Sequence, residues 1–201
     1  MFHRIQQRLS SHQPRSIKTK LPQAAVLLPV TNAPSPELIF TRRAMHLSTH
    51  AGEVSFPGGK YDHQDSSLET TALRESFEEI NLYPTDVKIL GRTGSVISRF
   101  GIEVTPYVGV IPADIKLKPN MQELDKIFRA PISFFLDSSN LRKDRKYINN
   151  QMIEMPSYHY KGYIIWGLTA IILTEFLNIT LDACIPLDAP QFYSSFANNE
   201  L

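Results

Sequence analysis

The chain has 201 residues and one cysteine, Cys184, so no intrachain disulfide can form, which fits a reducing, cytoplasmic setting. Net charge is nearly absent as well: the formal balance is +1. Global electrostatics therefore excludes nucleic acid and membrane surfaces as expected partners, while a polyanionic small molecule remains open because local clusters decide that question. Long apolar runs are missing too. The nearest, "YIIWGLTAIILTEFL", carries Thr and Glu and falls short of the roughly 18–20 residues of a membrane span. The opening "MFHRIQQRLSSHQPR" is basic but has no apolar stretch of the kind a signal peptide needs. Phe2, Ile5 and Leu9 suit one face of a short helix there, with an Arg-rich targeting peptide as the alternative reading. Neither an internal repeat nor a low-complexity segment is present. What the chain does have is 42% hydrophobic residues against 20% charged, enough for one domain with its own core.

Local patterning divides the chain into an N-terminal extension over 1–23, a main domain over 24–185 and a peripheral tail rich in Pro, Ser and Asn over 186–201. "AAVLLPV" (24–30) and "ELIFTRR" (37–43) read as strands of a hairpin around "TNAPSP", and "GEVSFPGG" (52–59) as a short strand entering a Gly-rich bend. Further strands are expected at 87–94, 103–112 and 125–132, with a short helix beginning at "SFFLD". A ragged hairpin is expected over 147–167, and "LTAIILTEFLNIT" has the apolar spacing of a last helix. Strands and helices mix without strict βαβ alternation. The expected class is therefore α+β, an α/β/α sandwich with a mixed sheet flanked by helices. Phe56 and Trp166 are expected in the core, and Cys184 as a small buried apolar residue.

The most informative segment is "SSLETTALRESFEEINL", which reads as a helix ended by Pro84. Ser66 and Glu69 match a capping box, with Ser67 as the other N-cap candidate. Residues 75, 78, 79 and 82 fall on one face, and three of them are glutamates; Leu73, Phe77 and Ile80 occupy the other side and are expected to pack on a sheet. Each like-charge pair costs about 0.2–0.5 kcal/mol on an exposed helix, and more where water is excluded. Arg74 can reach Glu78 but cannot neutralise three carboxylates. Hard divalent cations such as Mg²⁺ or Mn²⁺ prefer oxygen ligands and can. The alternative is a solvated acidic face, but "PGGK" just upstream lets backbone groups approach a ligand closely. Loop and helix together suit a metal-bound diphosphate.

Arg74-Glu75, Glu78-Glu79 and Leu82 match, position for position, the end of the signature of Nudix hydrolases, G-x5-E-x7-R-E-U-x-E-E-x-G-U with U aliphatic. The loop from Gly59 to Arg74 is one residue longer than in that pattern. The first acidic position falls at Asp65 or Ser66, Ser76 holds an aliphatic position, and Asn81 holds the closing Gly position. Upstream, "IFTRRAMHLSTHAGEVSFPGGKYDHQD" resembles the coenzyme A pyrophosphatase branch through Thr41, Arg43, Ala44, Leu47, His50, Gly52, Val54, Phe56, Pro57, Gly58, Gly59, Asp62 and Asp65. Ser48 stands where that branch usually has Arg. "NMQELDKIFRAPISFFL" and "IIWGLTA" resemble its later segments, so the likeness spans roughly residues 24 to 177.

The resemblance implies hydrolysis of the diphosphate of coenzyme A or acyl-CoA to 3′,5′-ADP and 4′-phosphopantetheine or its acyl form, with Mg²⁺ or Mn²⁺ as cofactor. It implies Glu75 and Glu79 as principal metal ligands, Glu78 sharing the site, and the Gly59 carbonyl as a further ligand. Arg74 would orient the glutamates by i,i+4 pairing. Glu123 matches an acidic position that approaches the metals in this family and is the candidate base, the other reading being a solvated loop carboxylate. Arg43 and Arg42 are candidate phosphate contacts, Gly58 is a candidate substrate-binding residue, and His50 either touches substrate or is structural. The competing functions are hydrolysis of ADP-ribose or a nucleoside triphosphate, and a nucleotide-binding sensor with a weak site. The protein is expected in the cytoplasm, as a monomer or homodimer, with a small-molecule partner.

Overall fold

The computed structural model describes residues 1–15, 20–148 and 151–187. Helix α1 (Phe2–Ser11) precedes strands β1 (Gln23–Asn32), β2 (Glu37–Arg43), β3 (Val54–Ser55) and β4 (Gly58–Lys60). Helix α2 (Leu68–Ile80) leads through a 3₁₀ turn at Pro84–Asp86 into β5 (Lys88–Arg92), β6 (Val96–Ile97), β7 (Glu103–Pro112) and β8 (Leu124–Pro131). A short α3 (Ile132–Leu136), β9 (Leu141–Ile148), β10 (Gln151–Tyr160), β11 (Tyr163–Ile165) and α4 (Gly167–Leu181) complete the order.

The main sheet is mixed. β1 runs parallel to β7 over its whole length, from Gln23 opposite Glu103 to Asn32 opposite Pro112, while β2 and β4 pair with β1 antiparallel. The order is β3-β2-β1-β7-β5, with β8 on β2 and β6 on β7, and a second sheet has the order β11-β10-β9. Strand alternation then sorts side chains to two faces. Ala25, Leu27 and Ile39 point towards α2 and pack with Ala72, Ile80 and Leu82. Leu28, Leu38 and Phe40 point the other way and pack with Ile172, Phe176 and Leu177 of α4. This is the α+β arrangement expected, a mixed sheet flanked by helices.

Three expectations need correction. Cys184 is exposed, because it lies beyond the left-handed C-cap Asp182 that ends α4. Trp166 is half-buried at the N-cap of α4, where the chain is still extended and turns its side chain only partly inward. The hairpin begins earlier than its apolar pattern suggested: the basic run "LRKDRK" lies in β9, where Lys143 and Arg145 bridge Glu154 of β10 at 3.3 and 3.2 Å. Cross-strand charge pairs replace apolar alternation there, so periodicity could not show it. Phe56 is core, as expected, at 3% exposure. Of the 186–201 tail, residues 188–201 lie outside the described residues.

Helix α1 uses its apolar face as its sequence suggested. Ile5 and Leu9 are buried against α4 and β5, and Arg4 and Arg8 both donate to Asp182. The exposed ion pairs contribute little and the apolar face carries the docking. Replacing Ile5 with Ala should lower the unfolding free energy by about 2–5 kcal/mol in a urea titration, whereas Arg8→Ala should change it by well under about 1 kcal/mol.

Candidate active site

Ser67 is the N-cap of α2, its hydroxyl accepting from the Thr70 amide at 3.1 Å, so of the two candidates it is Ser67 and not Ser66 that caps. At the other end Asn81 takes the left-handed conformation (φ 56°) and its amide donates to the Phe77 carbonyl, the role its place in the motif required. Between these ends the helix is turned differently from the simple amphipathic reading. The buried residues are Thr71, Ala72, Ser76, Glu79 and Ile80. Phe77 is 39% exposed and meets the Tyr83 ring at a tilt, and Leu73 is half-buried, packed against the cluster of Ala72 and Ile80. Of the acidic face, Glu75 and Glu79 point inwards. The physical reason is the Gly58-Gly59 pair in β4: a side chain on Gly59 would lie 2.4 Å from the Glu75 carboxyl carbon, so the glycine admits the carboxylate against the backbone. Ser76 fits the same close contact, fully buried with its hydroxyl turned back to the Ala72 carbonyl at 2.6 Å.

Glu79 is 8% exposed, and one carboxylate oxygen accepts the Gly58 amide at 3.1 Å. Burial pushes its pKa up to about 8; the charges of Glu75 and Glu123 push the same way, against the Gly58 hydrogen bond and Arg43. Burial also raises Glu75, again with Glu123 and Glu78 adding to the effect and Arg74 opposing it. Glu123 is exposed at the end of a turn whose Asn120 amide donates to the Glu79 carbonyl at 2.8 Å. Its own carbonyl accepts the Ala44 amide at 2.8 Å. The turn is thereby tied both to the end of α2 and to the chain beyond β2, which brings Glu123 within electrostatic range of Glu75 and Glu79. Glu78 points outwards with its side chain 53% exposed and paired to Arg74 at 3.2 Å.

Arg74 has a different principal partner from the one its helix position suggests. It grips Asp65 with two hydrogen bonds of 2.9 and 3.0 Å, and it also reaches Glu75 at 3.0 Å and the Lys60 carbonyl at 3.1 Å. Asp65 is 6% exposed and accepts further bonds from the Thr71 hydroxyl and the Asp62 amide. Those hydrogen bonds, Arg74 first, hold its carboxyl far below the usual carboxylate range. Asp65 and Thr71 were not among the sequence-derived site residues, although Asp65 had a signal: it sits at the position where the motif places its first acid.

The two arginines of β2 part company through strand alternation. Arg43 lies on the α2 face, acts on Glu79 and donates through Nε to the Thr49 carbonyl at 3.0 Å. Arg42 lies on the opposite face, in a two-point pair with Asp125 at 2.7 and 2.9 Å and over the Tyr163 ring. It is not brought to the carboxylates. His50, with φ 59°, closes the loop after β2 by bonding Glu53 at 2.7 Å and meeting the edge of Phe100.

Residues 21–128 match the NUDIX domain family. The chain belongs to the Nudix hydrolase family. It is 40% identical over 162 residues to a Photorhabdus laumondii protein named uncharacterized Nudix hydrolase NudL, covering 81% of this chain and 87% of that one. A Salmonella paratyphi B protein of the same name is 39% identical, covering 76% and 80%. Among solved structures, a MutT/nudix family protein from Enterococcus faecalis superposes with a TM-score of 0.51 at 14% identity, covering 86% of this chain and 66% of that one, a likeness of fold. Nudix hydrolases generally use divalent metal ions. Among the described residues no three acidic or thiol or imidazole side chains stand close enough together to enclose an ion as they are. The donor set nevertheless fits one: Glu75 and Glu79 are hard oxygen donors, the charge of Glu123 beside them raises the pKa of both, and the buried Glu79 carboxylate accepts the Gly58 amide.

The raised pKa of Glu79 has a consequence for this Nudix hydrolase without metal. Between about pH 4.5 and 8 the folded protein holds a proton that the unfolded chain has lost, so stability is fully present below the lower value and falls as pH rises to the upper one. The slope for one such group is about 1.4 kcal/mol per pH unit. Denaturant titrations in chelator from pH 5 to 8 should show this decline, and Glu79→Gln should flatten it to the smaller contribution of Glu75.

Proposed function

We propose that this Nudix hydrolase cleaves the diphosphate of coenzyme A or acyl-CoA. The observation that carries the reading is that Glu75 and Glu79 pack against the Gly58-Gly59 backbone, with Glu123 in electrostatic range of both at the exposed rim. A divalent cation would relieve their repulsion and the desolvation of Glu75 and Glu79, and the cation in turn attracts a polyanion. The segment from Ile39 to Asp65, which resembles the coenzyme A branch, supplies the remainder of this wall: Arg43 on the carboxylate face, the glycine pair, and Asp65 holding Arg74.

Glu75, Glu79 and the Gly59 carbonyl are the groups that would hold a divalent ion, Mg²⁺ or Mn²⁺. Such an ion, when bound, neutralises the diphosphate and lowers the pKa of a water. The protein's own residues do the rest. Arg43 presents a guanidinium on the same face for a phosphate oxygen. Arg74, anchored by Asp65, holds Glu75 in place. Glu123, exposed at the rim of the cluster, takes the proton of the attacking water. Water adds to one phosphorus, the bridging P–O bond breaks, and 3′,5′-ADP and 4′-phosphopantetheine leave. Glu78, turned outwards against Arg74, supports the pair more than the ion. The reading carries with it a cytoplasmic location and a small-molecule partner, in a monomer or homodimer.

A second reading has an observation of its own. Ser48, exposed in the loop after β2, stands where the coenzyme A branch usually carries an arginine, so this chain lacks the substrate contact or structural ion pair that arginine would make. This favours another nucleoside diphosphate derivative, such as ADP-ribose, on the same carboxylates.

The test is to incubate the protein with coenzyme A, ADP-ribose and a nucleoside triphosphate in Mg²⁺ or Mn²⁺ and identify products by mass spectrometry. We expect 3′,5′-ADP and 4′-phosphopantetheine, abolished by Glu79→Gln. Cleavage of ADP-ribose alone would transfer the assignment to the second reading, and ligand binding without turnover, equal in wild type and variant, to a sensor. Either metal should also raise the melting temperature of the chelated protein, and Glu79→Gln should remove most of that rise.

A further inference from the structure

The glycine pair that receives the carboxylates on one side also lines a cavity of ≈ 270 Å³. Its walls come from Val26 of β1, from Phe100 and Ile102 in the turn before β7, and from Leu168 and Ile172 of α4. This is the α4 face of the sheet, whereas Glu75 and Glu79 sit with α2. The two sites are therefore separated by the thickness of Gly58 and Gly59 alone, where no side chain intervenes.

The cavity's polar groups are already engaged. The Ser55 hydroxyl is bonded to that of Thr41 at 3.0 Å. The Ser98 hydroxyl accepts the amides of Phe100 and Ile102 at 3.3 and 3.2 Å. The Thr169 hydroxyl donates to the Val54 carbonyl at 3.0 Å. A purine edge buried here would lose its hydrogen bonds to water and meet few polar groups, all of these hydroxyls already having a partner, which is costly. A saturated branched group has no such requirement. Lys60 lines the same cavity and is exposed, a cation beside the place where an apolar group would meet a phosphate.

We propose that this cavity receives the apolar, branched head of the pantetheine arm, the group bonded next to the diphosphate, and that Ile102 and Leu168 set the preference for that arm. The inference rests on the coenzyme A reading above. It adds the assignment of the two halves of the substrate: the arm goes to the α4 face beyond the glycines, and the nucleoside lies outside the cavity. The cavity is too apolar for the amides further along the arm, so these run out past Phe100, whose ring is 59% exposed.

The test compares coenzyme A with the β-methyl ester of 3′-phosphoadenosine 5′-diphosphate, which keeps nucleotide and diphosphate but lacks the arm. Wild type should prefer coenzyme A in kcat/KM by about tenfold or more, the scale of a small apolar group in a fitted pocket. Ile102→Ser and Leu168→Ser, both at half-buried positions, should each reduce that ratio several-fold. They should also weaken inhibition by 4′-phosphopantetheine, with melting temperatures confirming that the variants fold. A wild-type ratio near one, or a ratio that neither variant moves, overturns the inference while the coenzyme A reading stands. So does a selective loss of inhibition by 3′,5′-ADP, which would place the nucleoside in the cavity. If wild type cleaves no coenzyme A, that reading fails and this inference falls with it.

Discussion

The placement of everything at the site depends on the contact between the Glu79 carboxylate and the Gly58 amide. A carboxylate taken out of water at 8% exposure is tolerated only with hydrogen-bonding partners or a cation, and here a backbone N–H supplies one partner. For the contact to form, α2 must lie with its acidic side towards the sheet, and β4 must present a surface without side chains. Glycine at 58 and 59 satisfies the second condition, and on the inward side of α2 Ser76 is fully buried. The displaced apolar residues settle where they can. Phe77 meets the Tyr83 ring at a tilt at the surface, while Ile80 is fully buried and Leu73 packs half-buried against the same cluster.

A second layer of interactions keeps the inward-facing glutamates apart from the outward one. Asp65 and Thr71 hold Arg74 at the start of the helix, and Arg74 then spans Glu75 and Glu78 on either side of the boundary with solvent. Asn120 and Ala44 hang the turn bearing Glu123 on the end of α2 and on the chain after β2. Three distant stretches of sequence, 43–65, 74–79 and 120–123, thus meet through backbone bonds as much as through side chains. Such a framework permits a site of repelling charges, because the cost of gathering them is spread over hydrogen bonds that do not involve the charges themselves.

The central sheet assigns different work to its two faces. Parallel pairing of β1 with β7 places charge and backbone donors on the α2 face, and an apolar cavity on the α4 face. At Gly58 and Gly59 of β4 no side chain stands between the two environments. An ion and a diphosphate need polar ligands, an alkyl group needs none, and the fold separates those environments by one strand.

Much of this was readable from residues alone. Periodicity gave α2 and α4, and turn residues gave the β1–β2 hairpin. The spacing of Arg74, Glu75, Glu78 and Glu79 behind Gly58-Gly59 placed the chain in its family, because a motif with fixed offsets on one helix is local information. What was not readable was anything that depends on which way an element rolls or what lies across from it. The inward turn of α2, the grip of Asp65 on Arg74, the charge-paired strand at 141–148 and the exposure of Cys184 are of this kind. Arg42 and Arg43 make the distinction plainly: adjacent in sequence and alike in chemistry, they are separated by strand alternation and by what each face offers. One is committed to Asp125 and the other set beside Glu79. Sequence determined which groups could bear charge and at what local spacing; tertiary structure decided which of them face each other, because desolvation and pairing depend on neighbours that the chain brings in from far away.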